Sequence, residues 1–124
     1  MNTQIAPIEK TVFDSVWAAV NEAEELDALD HGDENLMYSA LEDYELYLLG
    51  KKTLATLTGH KVALRRRAYS IKNPGYKDDI LVAALLLTAQ LCDRPNESDY
   101  SQRIRFSLET YSLALNRKLF PFGW

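Results

Sequence analysis

The sequence predicts an all-α protein, a compact bundle of about five helices. Apolar residues recur at steps of three and four along most of the chain, which is the period of an amphipathic helix. Glycine and proline breakers divide the chain into five segments of helical length. One segment, near 79–92, is apolar on all sides and is therefore predicted to be the central helix. With 124 residues, 47% of them hydrophobic, we expect one domain over residues 1–124.

The first two helices are predicted from apolar stripes that end at glycines. The first begins near Pro7, a residue that suits an early helical position, and reaches roughly to Leu29 with Gly32 as its stop. Its stripe consists of Ile8, Val12, Phe13, Val16, Trp17, Val20 and Ala23. The second helix is predicted to be capped by Asp33 and interrupted by Gly50. Its stripe consists of Leu36, Met37, Ala40, Leu41, Tyr44, Tyr47 and Leu48.

The third and fourth helices lie on either side of the breaker Asn73-Pro74-Gly75. The third, with Leu54, Leu57, Val62 and Leu64 as its apolar residues, is expected to bend near Gly59. The fourth begins with Asp78 and Asp79, where acids favour a helix N-terminus, and continues as an apolar run. The uncharged stretch before Asp93 is shorter than the roughly 20 residues that a bilayer requires, so we expect a buried helix.

The last helix follows the break at Arg94-Pro95-Asn96-Glu97, and Ser98 or Asp99 is predicted to cap it. Its apolar stripe consists of Tyr100, Ile104, Leu108, Tyr111, Leu115 and Leu119. Phe106 and Leu113 lie off this stripe, so we expect them to face a partner.

An aromatic segment follows the last helix. Phe120, Phe122 and Trp124 fall within five residues, and Pro121 takes them out of the helix. Two interpretations remain open: the segment folds back to close the core, or residues 119–124 form a docking tail, since aromatic anchors dominate interface energetics.

Charge is sorted by position along the chain. Residues 1–50 hold 12 acids and one base, Lys10, for a local net charge of 1 − 12 = −11, whereas residues 51–124 carry 13 − 6 = +7. The overall charge of −4 hides this contrast. We expect two electrostatically different faces, a pattern that favours docking over the transformation of a small molecule.

The residues contain no strong catalytic, cofactor-binding or metal-binding motif, and we expect a protein that is not an enzyme. Asp27, His31 and Glu34 lie at helical spacing, but we expect them to form a solvated acidic turn. His60 is predicted to be an exposed loop or helix-end residue. The lone cysteine, Cys92, ends an apolar helix and is expected to be structural, and without a disulfide a cytosolic location is the natural interpretation.

Two pairs of glutamates suggest an alternative. Glu22 with Glu25, and Glu42 with Glu45, form Glu-x-x-Glu patterns on consecutive helices. They resemble the carboxylates with which all-α nucleotide pyrophosphatases of the MazG type hold magnesium. That family's second pair normally ends in aspartate, whereas Glu45 stands here.

Arg65, Arg66 and Arg67 form the densest basic patch. The patch lacks interleaved aromatic residues, and a pI near 5.1 is far from that of a typical nucleic-acid binder. We expect at least one of the three arginines to pair with the acidic N-terminal half, within the subunit or across to a neighbour.

One family resemblance covers roughly residues 33–95. Asp33-Glu34-Asn35-Leu36 leads into a helix that ends Tyr47-Leu48-Leu49-Gly50-Lys51, and later come Pro74, the run from Asp79 to Leu87, and Asp93-Arg94. In this outline the chain resembles the small head-tail connector (adaptor) proteins of tailed bacteriophages. The resemblance implies a virion protein, assembled in the host cytoplasm, whose helical subunits form a ring between portal and tail and meet neighbouring virion proteins.

For a connector we expect Phe106, Leu113 and the aromatic tail to supply apolar contacts, and no cofactor or membrane to be involved. A ring joins two different surfaces of each subunit, which opposite charges make complementary. A small acidic anti-defence or regulatory protein that occludes a host enzyme remains the alternative from another class.

Overall fold

A computed structural model describes the backbone of residues 7–71 and 76–119, and the side chains of residues 10–71 and 78–116. The described chain forms five helices and no strand: α1 (Pro7–Glu25), α2 (His31–Leu48), α3 (Leu54–Tyr69), α4 (Tyr76–Leu91) and α5 (Tyr100–Leu119). The predicted all-α class and number of helices are confirmed. Within these ranges no helix combines the length and the apolar composition needed to cross a bilayer.

The connection between α1 and α2 differs from the prediction. The first helix ends at Glu25 rather than near Leu29, and the left-handed backbone of Asp27, with φ of 59°, reverses the chain. Asp30, not Asp33, caps α2: the side chain of Asp30 accepts a 2.8 Å bond from the backbone N–H of Asp33. Gly32 therefore lies inside the first turn of α2, because the capping box starts the helix before this glycine.

The next two boundaries agree with the sequence pattern. Gly50 follows α2 with φ of 77°, a left-handed conformation that glycine adopts without strain. Thr53 caps α3, accepting a bond from the backbone N–H of Thr56, and α3 then runs unbroken through Gly59 to end ahead of residues 73–75.

Helix α4 lies at the centre of the bundle and contacts each of the other four helices. The surrounding helices follow the order α3, α2, α1, α5, each packing on the next. In the part of the chain that the structure describes, no Cα of α3 comes within 8 Å of a Cα of α5. The four helices thus form a horseshoe that leaves one side of α4 uncovered.

Burial along α4 reflects this arrangement. Among the α4 side chains from residue 78 onward, nine are buried: Ile80, Leu81, Ala83, Ala84, Leu85, Leu87, Thr88, Ala89 and Leu91. Among its partly buried side chains, Val82, Leu86 and Gln90 are spaced four residues apart, which places them along one face. The prediction of a central helix is confirmed for three sides, and none of the described helices covers the fourth side.

Aromatic side chains make contacts between the helices of the bundle. Phe13 of α1 stacks on Tyr44 of α2 with ring centroids 5.5 Å apart. The hydroxyl of Tyr100 in α5 donates a 2.7 Å bond to the carbonyl oxygen of Leu91 and lies 3.2 Å from the hydroxyl of Tyr44. Burial raises the pKa of Tyr100, so this phenol stays protonated.

The last helix buries the stripe that the sequence predicts. Tyr100, Ile104, Tyr111 and Ala114 are buried, and Leu108 and Leu115 are partly buried against the core. The side chain of Leu119 lies outside the described residues. Asp99 directly precedes α5, and its carbonyl oxygen accepts a 3.0 Å bond from the N–H of Arg103, as expected at a helix start.

Candidate functional site

The uncovered side of α4 is the floor of a groove between α3 and α5. Two adjoining depressions of about 300 and 470 Å³ occupy it. One lies beside Arg65, Gln90 and Phe106, and the other lies beside Asp79 and Leu113. Both reach Leu86 on the floor and Tyr69 on the α3 wall. We call this feature the α3–α5 groove. It extends along α5 from Leu113 at one end to Phe106 at the other.

Large apolar side chains stand on both walls of the groove. Tyr69 of α3 and Phe106 of α5 are each 70% exposed, and Leu113 is 54% exposed. Phe106 and Leu113 are seven residues apart, two helical turns, and so lie on the same side of α5. Both residues lie off the buried stripe of α5, as the sequence pattern indicates, and their contact with a partner stays a prediction. A contiguous apolar surface of this kind is typical of an interaction site.

One polar group of the groove lacks a partner within the described part of the chain. The Nε2 amide nitrogen of Gln90 is buried and donates no hydrogen bond. By contrast, the neighbouring hydroxyl of Thr88 donates a 2.8 Å bond to the carbonyl oxygen of Ala84. A buried donor without an acceptor is unfavourable.

A buried carboxylate lies behind the Arg65 end of the groove. The side chain of Asp93, two residues after the end of α4, is 7% exposed. It accepts hydrogen bonds from Arg65 at 3.1 Å, Arg94 at 3.2 Å and Lys61 at 3.3 Å. Arg103 of α5 lies 3.6 Å from the carboxylate and donates to the Asp93 carbonyl oxygen at 2.8 Å. These contacts join α3, α4 and α5, and we call the five residues the Asp93 cluster.

The Asp93 cluster shifts the pKa of the Asp93 carboxyl group. Burial alone raises the pKa of Asp93, but hydrogen bonds from Arg65, Arg94 and Lys61 outweigh it and lower the pKa to about 2. The carboxylate is therefore charged at neutral pH, and its one negative charge offsets part of the positive charge of the four cations around it.

The three arginines of the basic patch differ in their contacts. Arg67 donates to both carboxylate oxygens of buried Asp33, at 2.8 and 3.4 Å, and this contact raises the pKa of Arg67. The predicted pairing with the acidic N-terminal half is confirmed, within the subunit. Arg65 contacts Asp93, and Arg66 is exposed. Of the three arginines, only Arg65 lines the groove.

The prediction for His60 was wrong. This residue lies in the middle of α3, its side chain is 19% exposed, and its Nε2 atom lies 2.7 Å from a carboxylate oxygen of Asp43 in α2. The two residues are 17 positions apart, so the pairing could not be recognised from local spacing.

The remaining chemical candidates are separated from the groove. Glu22, Glu25, Glu42 and Glu45 are all exposed, and Glu22 accepts a 3.0 Å bond from the hydroxyl of Tyr111. Among the side chains that the structure describes, no group of three or more His, Cys, Asp or Glu could hold a metal ion.

His31 lies in the acidic turn, and Cys92 carries the single thiol. His31 is exposed and lies 3.6 Å from Glu34. Cys92 is buried, and burial raises the pKa of its thiol to about 12, so the reactive thiolate does not form at neutral pH.

Comparison with protein families, with curated proteins and with solved structures found no match for this chain. The groove therefore has to be interpreted from its own geometry. The sequence pattern identified Phe106 and Leu113, whereas Tyr69, Leu86 and Gln90 were missed because the gap between α3 and α5 is a long-range property. Phe120, Phe122 and Trp124, the other predicted contacts, lie outside the described residues.

Proposed function

We propose that this protein is a non-enzymatic structural subunit, a head-tail connector of a tailed bacteriophage, that assembles into a ring by seating a neighbouring copy in its α3–α5 groove. The observation that carries the proposal is the side of α4 that none of the described helices covers, although the apolar composition of this central helix favours burial. A neighbouring subunit would supply that cover and bury Phe106, Leu113 and Tyr69.

The distribution of charge supports self-association. After the internal pairs are formed, Glu24, Glu25, Glu42 and Glu45 remain exposed on α1 and α2. Burial and the charges of acids from both helices, Glu24, Glu34 and Glu25, raise the pKa of Tyr38 to about 12.

The groove side differs in charge from this acidic surface. Arg66 and Arg105, on its two flanking helices, are exposed. Because α1 and α2 pack on the side of α4 away from the groove, each copy presents two unlike surfaces, which is what a ring contact requires.

We expect Leu113→Asp to weaken association of the purified protein at least about tenfold, because it places a charge in the apolar contact. The measurement is the native mass by light scattering over a concentration series, in low and high salt. Leu49→Asp is the matched control, since Leu49 is also an exposed leucine, at 58% against 54%, and does not line the groove.

The wild-type protein and the Leu49 variant should share one mass that exceeds a single chain and decreases in high salt. The Leu113 variant should move to the mass of a monomer at the same concentrations. A wild-type protein that stays monomeric at every concentration and in both salts would contradict the proposal, and so would equal effects of the two leucine substitutions.

A further inference from the structure

We infer that the neighbouring copy meets the α3–α5 groove with the junction of its helices α1 and α2, so that acids of one subunit contact the basic end of the next subunit's groove. This inference rests on the proposed function and names the surface that makes the contact. We call that surface the α1–α2 seam and define it by two aromatic and three acidic residues: Trp17, Tyr38, Glu24, Glu25 and Glu34.

The α1–α2 seam lies on the side of the bundle away from the groove. The outer helices follow the order α3, α2, α1, α5, so the junction of α1 and α2 is the middle of the horseshoe and the gap between α3 and α5 is its mouth. Contact between the seam of one copy and the groove of the next is therefore heterologous. A series of such contacts forms a ring where the rotation between copies closes.

The acids of the seam carry an excess of negative charge. Burial and the charges of the three glutamates raise the pKa of Tyr38 to about 12, and the Tyr38 hydroxyl lies 3.3 Å from Glu24. Among the described side chains, the base within 4 Å of these glutamates is the exposed His31, which lies 3.6 Å from Glu34. The seam therefore favours a partner with positive charge.

The Arg65 end of the groove has the opposite excess. Lys61 and Arg65 lie one turn apart on α3 and share the single carboxylate of Asp93. Arg66 and Arg105, on the two flanking helices, are exposed. Because one carboxylate offsets only part of this positive charge, acids from a neighbouring copy would offset more of it.

The two ends of the groove differ in charge, and this difference sets the direction of the neighbouring seam. Arg65 lines one of the two depressions, whereas Asp79 lines the other. The glutamates of the seam are attracted to the first end and repelled from the second. We therefore place Glu24 of the neighbouring copy at the Arg65 end.

The aromatic part of the seam then falls at the other end of the groove. Trp17 and Glu24 are seven residues apart on the same side of α1, about 10 Å at the helical rise. Phe106 and Leu113 have the same separation along α5. With Glu24 at the Arg65 end, Trp17 lies opposite the exposed Leu113. The rings of Trp17 and Tyr38 are 5.9 Å apart, and both are only partly buried in the subunit, so this pair can provide the apolar contact.

A charge-exchange experiment tests the contact. The seam variant carries Glu24→Lys and Glu25→Lys, and the groove variant carries Arg66→Glu and Arg105→Glu; all four side chains are exposed. Each variant alone should associate at least about tenfold more weakly than the wild type by light scattering, because like charges then face each other. The equimolar mixture should recover wild-type association within about threefold, because lysines of one variant then meet glutamates of the other. Circular dichroism of each variant checks that it is folded.

Glu97→Lys combined with Asp99→Lys is the matched control. Like the seam variant, it changes the formal net charge by +4, from −4 to 0. Its two acids, however, lie on the connection between α4 and α5, close to Arg94 and Arg103 of the Asp93 cluster. Removing acids from the basic side should leave association as tight as in the wild type or tighter. Equal weakening of the control and the seam variant would show an effect of net charge and overturn the inference.

A spectroscopic measurement reports on the seam itself. The chain has two tryptophans, so Trp124→Phe leaves Trp17 as the sole emitter. Quenching of its fluorescence by acrylamide should decrease as the protein associates, and this decrease should be lost when Glu24→Lys and Glu25→Lys are added. Unchanged quenching in a protein that assembles by light scattering would overturn the inference.

The outcomes separate the inference from the proposed function. A seam variant that assembles as well as the wild type would overturn the inference, while the effect of Leu113→Asp would still identify the groove as the subunit contact. A mixture that associates as weakly as its two components would overturn the inference in the same way. A wild type that never associates would overturn the proposed function itself.

Discussion

Replacement of Asp93 by asparagine is expected to lower the free energy of unfolding by about 3–5 kcal/mol, the cost of removing one partner from a buried ion pair. The substitution keeps the shape of the side chain but removes its charge. Lys61, Arg65 and Arg103 then lie close together without the anion that they share, and the junction of α3, α4 and α5 loses its central contact. Urea denaturation followed by circular dichroism gives the measurement.

Asp99→Asn is the matched control for this substitution. Asp99 also pairs with Arg103, at 3.1 Å, but its side chain is 56% exposed. A solvated pair of this kind contributes about 0–1 kcal/mol, so the control should unfold close to the wild type. Equal losses in the two variants would show that Asp93 does not hold the three helices together.

The dependence of the free energy of unfolding on pH provides a second test of the role of the Asp93 carboxylate. The pKa of Asp93 is about 2 in the folded protein and 3.8 in its reference state, so its charged form stabilises the fold above pH 4. This contribution, about 2 kcal/mol, is lost as the pH falls through 2. The stability difference between wild type and Asp93→Asn should therefore narrow between pH 4 and pH 2, whereas a constant difference would contradict the assigned pKa.

Leu85→Ala is expected to destabilise the protein by about 2–5 kcal/mol, the usual cost of a cavity in a packed core. Leu85 is fully buried on the enclosed side of α4. Leu86 follows it on the open side, is only partly buried and lines the groove. Leu86→Ala should therefore cost only about 1 kcal/mol in the isolated subunit, because its side chain has fewer neighbours to lose.

The same two variants distinguish an effect on the stability of the subunit from an effect on its association. Leu86→Ala should weaken association while its subunit stays folded, and Leu85→Ala should lower stability at concentrations where the protein is already a monomer. Unfolding measured on dilute protein and light scattering on concentrated protein give the two quantities. If both substitutions destabilised the dilute monomer equally, the open side of α4 would have to be covered within the subunit.

The fold was largely predictable because its signals are local. The apolar run after Asp79 has no polar face, and this alone predicts a helix enclosed by others. Gly50 marks a helix end because its left-handed backbone favours a residue without a Cβ atom. The prediction for the turn after α1 was wrong. Gly32 does not end a helix, because the capping box of Asp30 starts α2 ahead of this glycine.

The sequence by itself determined the five helices, the apolar centre of the bundle and the exposure of Phe106 and Leu113, since each depends on residues a few positions apart. Only the tertiary structure decided that Arg65 meets Asp93, that Arg67 meets Asp33, and that α3 and α5 stand apart to leave a groove. These features join residues distant in the chain, 28 positions apart for Arg65 and Asp93. The spacing of residues along a helix cannot determine such contacts, because they depend on how whole helices pack.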